Sequence, residues 1–197
     1  MVRNSIRLRS TVLYLNLFLV FICIASANTQ PEEEIGVFTN GLDGWTYNGG
    51  WEFKGAKGRS IRVPDTGHKS NGALRLSAEF QAGGSYVAVT RPISPTPLGE
   101  LKFWIKPEGI HAIDVRLTDT NEQTFQYQVR LKDGDEWQEL TVSPKIDSAK
   151  SHWGGNNNGV WGGEAKAVWI MLSRNYCQNN TAGAFLIDDI YLVQPKP

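Results

Sequence analysis

Residues 101–131 read LKFWIKPEGIHAIDVRLTDTNEQTFQYQVRL, and three runs within them alternate apolar with polar side chains. Leu101, Phe103 and Ile105 interleave with Lys102, Trp104 and Lys106; Ile113, Val115 and Leu117 interleave with Asp114, Arg116 and Thr118. Phe125, Tyr127, Val129 and Leu131 then interleave with Gln126, Gln128 and Arg130. Neighbouring side chains of a strand point to opposite faces, so a period of two marks a strand with one buried side. Residues 119–122 read as the turn between two of these strands. Working outward, residues 35–38, 73–80, 86–90, 139–142, 168–172 and 185–193 continue the pattern, about nine strands in all. Their spacing leaves no room for the crossover helices that a parallel sheet requires. The chain is predicted to be all-β, a β-sandwich jelly roll of two antiparallel sheets.

The N-terminus follows different rules. Arg3, Arg7 and Arg9 precede an apolar run from Val12 to Ile24, and Ala25-Ser26-Ala27 supplies small residues for a cleavage site. That run is shorter than the roughly 20 residues of a membrane span. Residues 1–27 are therefore predicted to be a signal peptide and the product to be secreted, with no membrane attachment after cleavage. Residues 28–34 read as a flexible segment, 35–193 as the sandwich domain and 194–197 as a tail.

Composition narrows the partners. Residues 1–27 hold three of the 20 Lys and Arg and none of the 20 Asp and Glu, leaving 17 against 20, a net charge of −3. A weakly acidic chain without a basic run is a poor partner for nucleic acid or anionic membrane. Cys23 leaves with the signal, so Cys177 is alone and no internal disulfide forms. Asn179-Asn180-Thr181 is a glycosylation sequon, which matters only in a eukaryotic source.

The polar sides of the strands carry Trp104, Arg116, Gln126, Gln128, Arg130 and, beside Val168 and Ile170, Trp169. If these strands are neighbours, one sheet presents two tryptophans among Gln, Arg and Asp. The polar stretch 143–164 adds Trp153 and Trp161 among glycines and asparagines. A loop of that length in a compact domain is usually functional, and indoles argue against a solvated linker.

Several motifs, in order, resemble those of jelly-roll carbohydrate-binding modules. Phe38-Thr39-Asn40-Gly41-Leu42-Asp43-Gly44-Trp45 is similar to their opening segment, and Asn71-Gly72-Ala73-Leu74-Arg75-Leu76 to their second strand. Leu101-Lys102-Phe103-Trp104-Ile105-Lys106 and the segment from Leu117 to Tyr127, followed by Trp137, look like their central strands. Phe185-Leu186-Ile187-Asp188-Asp189-Ile190-Tyr191-Leu192 is similar to their closing strand. The resemblance spans residues 35–193 and implies a galactose-binding-like sandwich of the kind appended to bacterial glycanases, the family-11 modules included. It also implies one structural calcium ion, with Asp188 as a ligand. Thr39 stands where those modules carry a second, acidic ligand.

The expected function is that of a secreted, monomeric, non-catalytic protein that binds a polysaccharide or oligosaccharide on a concave face. Sugar recognition uses aromatic rings for the C–H faces of the pyranose and planar polar groups for its hydroxyls. Trp104, Arg116, Gln126, Gln128, Arg130, Trp153, Trp161 and Trp169 supply both. Trp45 and Trp137 read as packing residues, and Trp51 as a residue at the edge of the same cleft. Two alternatives stay open. A glycoside hydrolase would need a carboxylate pair such as Asp114 with Asp119 or Glu122, and a lyase a base such as His111 or Tyr127. The same fold could also serve as a protein-binding or assembly module.

Overall fold

The protein is described from a computed structural model that covers residues 30–145 and 148–196. The signal peptide expected at residues 1–27 lies outside the described residues. Among the described residues twelve strands form: β1 (Glu32–Gly36), β2 (Thr46–Asn48), β3 (Lys57–Pro64), β4 (Gly72–Glu79), β5 (Tyr86–Pro97), β6 (Glu100–Glu108), β7 (Ala112–Asp119), β8 (Thr124–Arg130), β9 (Gln138–Val142), β10 (Ser151–Trp153), β11 (Glu164–Ser173) and β12 (Ala182–Val193).

All strand pairs are antiparallel and fall into two sheets. The first runs β3-β4-β12-β6-β9, with β1 paired to β12; the second runs β10-β8-β7-β11-β5-β2. This is the expected jelly-roll sandwich. Alternation read from the sequence sets its core. Leu101, Phe103 and Ile105 of the first sheet face Ile113, Val115 and Leu117 of the second, and all six are fully buried. Val168, Ile170 and Leu172 join them from β11. Burying each such side chain contributes roughly 1.5–3 kcal/mol.

Three features depart from the sequence reading. β1 begins at Glu32, inside the segment expected to be flexible, because Glu32 to Gly36 pair with Val193 to Ile190 of β12. β3 inverts the usual pattern: Ser60 and Arg62 lie opposite the core residues Leu76 and Leu74. Directly paired residues share a face, so Ile61 and Val63 point outward and the apolar signal misleads. Part of the 143–164 stretch forms β10, which pairs with β8.

Cys177 is buried beside the core, and burial pushes its thiol up to about 11. Only the thiolate reacts. Alkylation of Cys177 by iodoacetamide at neutral pH is therefore expected to be slow in the native protein and complete after denaturation. Rapid native labelling, followed by mass spectrometry, would contradict this packing.

Candidate functional site

The outward face of the second sheet is built from one register row. Ser151 pairs with Gln126, Gln126 with Arg116, Arg116 with Trp169, Trp169 with Thr90, and Thr90 with Thr46. With strands about 4.8 Å apart, this row crosses six strands over about 24 Å. The next row carries Gln128, Asp114, Met171, Ala88 and Asn48. Arg130 and Gln128 are exposed at the far end of β8.

Arg116 is the centre of this face. Its guanidinium carbon lies 4.9 Å from the Tyr86 ring centroid, 4.9 Å from that of Trp153 and 5.8 Å from that of Trp169. Its Nε donates to Gln126 Oε1 at 2.8 Å. Nη1 also donates to the Tyr86 hydroxyl at 3.5 Å, so three aromatic rings and two hydrogen bonds hold a planar, charged fork on this outer face.

Both ends of the face are walled. At the β5 end, the loop between β2 and β3 folds back: the Tyr86 hydroxyl donates to Glu52, and Phe53 meets the Tyr86 ring edge-on at 6.2 Å. Gly50 makes this approach possible, with φ +59° and the Tyr86 carbonyl 2.3 Å from where a Cβ would stand. Tyr86, Ala88 and Met171 are consequently buried although they face away from the core, and Trp169 packs against them. Burial raises the Tyr86 hydroxyl pKa, whereas its hydrogen bond holds the Glu52 carboxyl below the usual range. Trp51 projects from this loop with 69% of its surface exposed. Alternation with the inward Val87 and Val89 already directs Tyr86 outward, so sequence reasoning could have found it; Glu52 and Phe53 had no such signal.

At the opposite end, Trp153 rises from β10 and is 39% exposed. The loop beyond it is held by Gln123, a fully buried side chain. Its amide nitrogen donates to Asn158 Oδ1 at 2.9 Å and to the Val160 carbonyl at 3.0 Å, and its oxygen accepts from Gly159 N at 3.0 Å. Asp119 Oδ2 accepts from Gly162 N at 2.9 Å. The stretch is thus an anchored wall.

Of the expected site residues, Arg116, Gln126, Gln128, Arg130, Trp153 and Trp169 come together on this face. Two do not. Trp161 packs edge-on against the core residue Phe125, ring centroids 5.5 Å apart, so it anchors the loop from beneath. Trp104 belongs to β6, in the first sheet, where it stacks on His68 with centroids 3.7 Å apart. Alternation separates inside from outside but does not say which sheet a strand joins, and both sheets have an outer face.

Asp188, the residue that the resemblance implies as a calcium ligand, sits at a break in the alternation of β12. It shares a register position with Trp104, and the pairing shifts between Asp188 and Tyr191. Asp189 in that bulge has φ 48°. The extra residue breaks the alternation with Ile190 and Leu192, so Asp188 lies on the outer side. It is buried there under residues 65–71, accepting from His68 N at 2.8 Å and from Ser70 Oγ at 3.2 Å. Burial pushes its carboxyl above the usual range.

No family model matches this sequence, and no curated protein matches it. Solved structures do match the fold. The family 11 carbohydrate-binding module of the cellulosomal cellulase Lic26A-Cel5E of Clostridium thermocellum superposes with a TM-score of 0.59 at 15% identity, over 85% of this chain and 96% of that one. A family 11 module from Clostridium thermocellum in complex with a β-1,3-1,4-mixed-linked tetrasaccharide gives 0.58 at 16% identity, over 83% and 95%. An exo-β-agarase gives 0.53 at 14% identity, where the match covers 83% of this chain and 25% of the agarase. At these identities the shared property is architecture, and the chain has the two-sheet jelly-roll fold of the family 11 carbohydrate-binding modules.

Proposed function

We propose that this is a secreted, monomeric, non-catalytic carbohydrate-binding protein that holds a polysaccharide or oligosaccharide against the outer face of the second sheet. The observation that carries this reading is Arg116, oriented by Gln126 and surrounded by Tyr86, Trp153 and Trp169. Indole and phenol faces suit the C–H faces of a pyranose, and the guanidinium and amide planes suit its hydroxyls. The comparison with a module solved with a mixed-linked tetrasaccharide makes β-1,3-1,4-glucan the first ligand to try. The N-terminal basic and apolar segments support export.

Of the three carboxylates considered for a hydrolase, Asp114 and Asp119 are buried in hydrogen-bonded networks and Glu122 makes a surface ion pair. Asp114 accepts from Ser173 Oγ at 2.8 Å and from the Tyr176 hydroxyl at 3.1 Å. Asp119 caps the backbone amides of Asn121, Gln123 and Gly162. Glu122 pairs with Lys166. Tyr127 lies in the core, where burial raises its hydroxyl pKa, so it makes a poor base for a lyase. The test is a glycan array and affinity gels on residues 28–197, with reducing-end assays in parallel. Binding without release of sugar is the expected result. Release of reducing ends would favour an enzyme, and no glycan binding at all would overturn the reading.

A further inference from the structure

We propose that the Arg62 guanidinium is the resident cation of the carbonyl cluster between the loops that follow β1 and β3, beside the junction at which the family resemblance implies calcium, so that the fold needs no metal there. Arg62 is on the edge strand β3, at an inward position and half-buried. Its partners are carbonyl oxygens from two separate loops. Nε donates to the Phe38 carbonyl at 2.6 Å, and Nη2 donates to the Thr39 carbonyl at 2.6 Å and the Asn71 carbonyl at 2.9 Å. Converging backbone carbonyls are a typical environment for a bound hard cation. Here a covalently tethered charge fills that role.

The surrounding donors agree. A calcium site takes about six to eight oxygens, carboxylates prominent among them. Thr39 offers none. The Val37 carbonyl accepts from Ser70 Oγ at 2.6 Å, and Asp188 is engaged by His68 N and Ser70 Oγ. The other nearby carboxylates are engaged as well: Asp43 accepts from Val37 N at 2.9 Å and Phe38 N at 2.6 Å, and Asp189 Oδ2 lies 2.8 Å from His68 Nδ1. Gly72 closes the pocket: a Cβ there would stand 2.5 Å from the Phe38 oxygen and 2.8 Å from Arg62 Nη2. Backbone thus approaches the guanidinium to contact distance on that side. Arginine suits the role because its planar fork reaches two loops at once.

This inference is independent of the glycan reading, since it concerns the other sheet. Thermal melting of residues 28–197 in excess chelator and in millimolar calcium is expected to give midpoints within about a degree of each other. A calcium-induced rise of several degrees, or stoichiometric calcium uptake in a titration, would overturn the proposal. Arg62→Ala is expected to lower the midpoint by about 5 °C or more, with Arg62→Lys recovering only part of the loss. An Arg62→Ala protein that melts with the wild type would equally overturn it. Should that variant fail to fold, the wild-type calcium comparison still decides.

Discussion

Arg116→Ala is expected to weaken glycan binding by the folded protein by about tenfold to a hundredfold. Hydrogen bonds to a charged donor contribute about 1.5–3 kcal/mol, and each 1.4 kcal/mol is a factor of ten in affinity. The guanidinium does two jobs at once. Beyond its bonds to Gln126 and the Tyr86 hydroxyl it has further N–H groups to offer a ligand, and it spaces the Tyr86, Trp153 and Trp169 rings that surround it. Truncation removes the fork and lets the rings and Gln126 relax. The stability cost should be small, because a partly exposed cation over an aromatic face contributes only about 0.5–1 kcal/mol. Arg116→Lys keeps the charge but not the fork, and is expected to fall between the wild type and alanine. Isothermal titration with the best ligand from the array, alongside melting curves, separates the two effects. Unchanged affinity in a folded Arg116→Ala protein would remove the site from this face.

Much of this architecture is legible in the sequence, and the limits of legibility have physical causes. Alternation assigned the inner sides of β6, β7, β8 and β11 because each has one apolar side against a common core. It did not place β6 in the opposite sheet, since sheet membership is set by hydrogen-bond partners far away in the chain. Alternation alone therefore groups Trp104 with Trp169, although the two lie on opposite outer faces. β3 was invisible for the reverse reason: its inward side carries Ser60 and Arg62 and its outward side Ile61 and Val63. The bulge at Asp189 was equally hidden, because one added residue reverses the facing of all that precedes it. Composition brought Trp153 and Trp161 to notice together but could not tell a rim from an anchor.

That last distinction sets the second large effect. Trp161→Ala is expected to destabilise the protein by about 3 kcal/mol, near the lower end for truncating a packed tryptophan. For a domain of this size that lowers the melting midpoint by roughly 6–12 °C. The cause is local: Trp161 rests on Phe125 and on the core, beneath a loop that Gln123 and Asp119 hold from the other side. Trp153→Ala should behave oppositely. Its ring is 39% exposed and contacts the Arg116 guanidinium, so truncation leaves the midpoint within a few degrees but weakens binding. Losing an aromatic platform of about 1 kcal/mol corresponds to a several-fold drop in affinity. Trp104→Ala supplies the control. It removes the stack on His68 in the first sheet, so stability is expected to fall while the affinity of the folded fraction stays at the wild-type value. If Trp104→Ala lost affinity and Trp153→Ala did not, the ligand would lie on the first sheet and not across the Arg116 row.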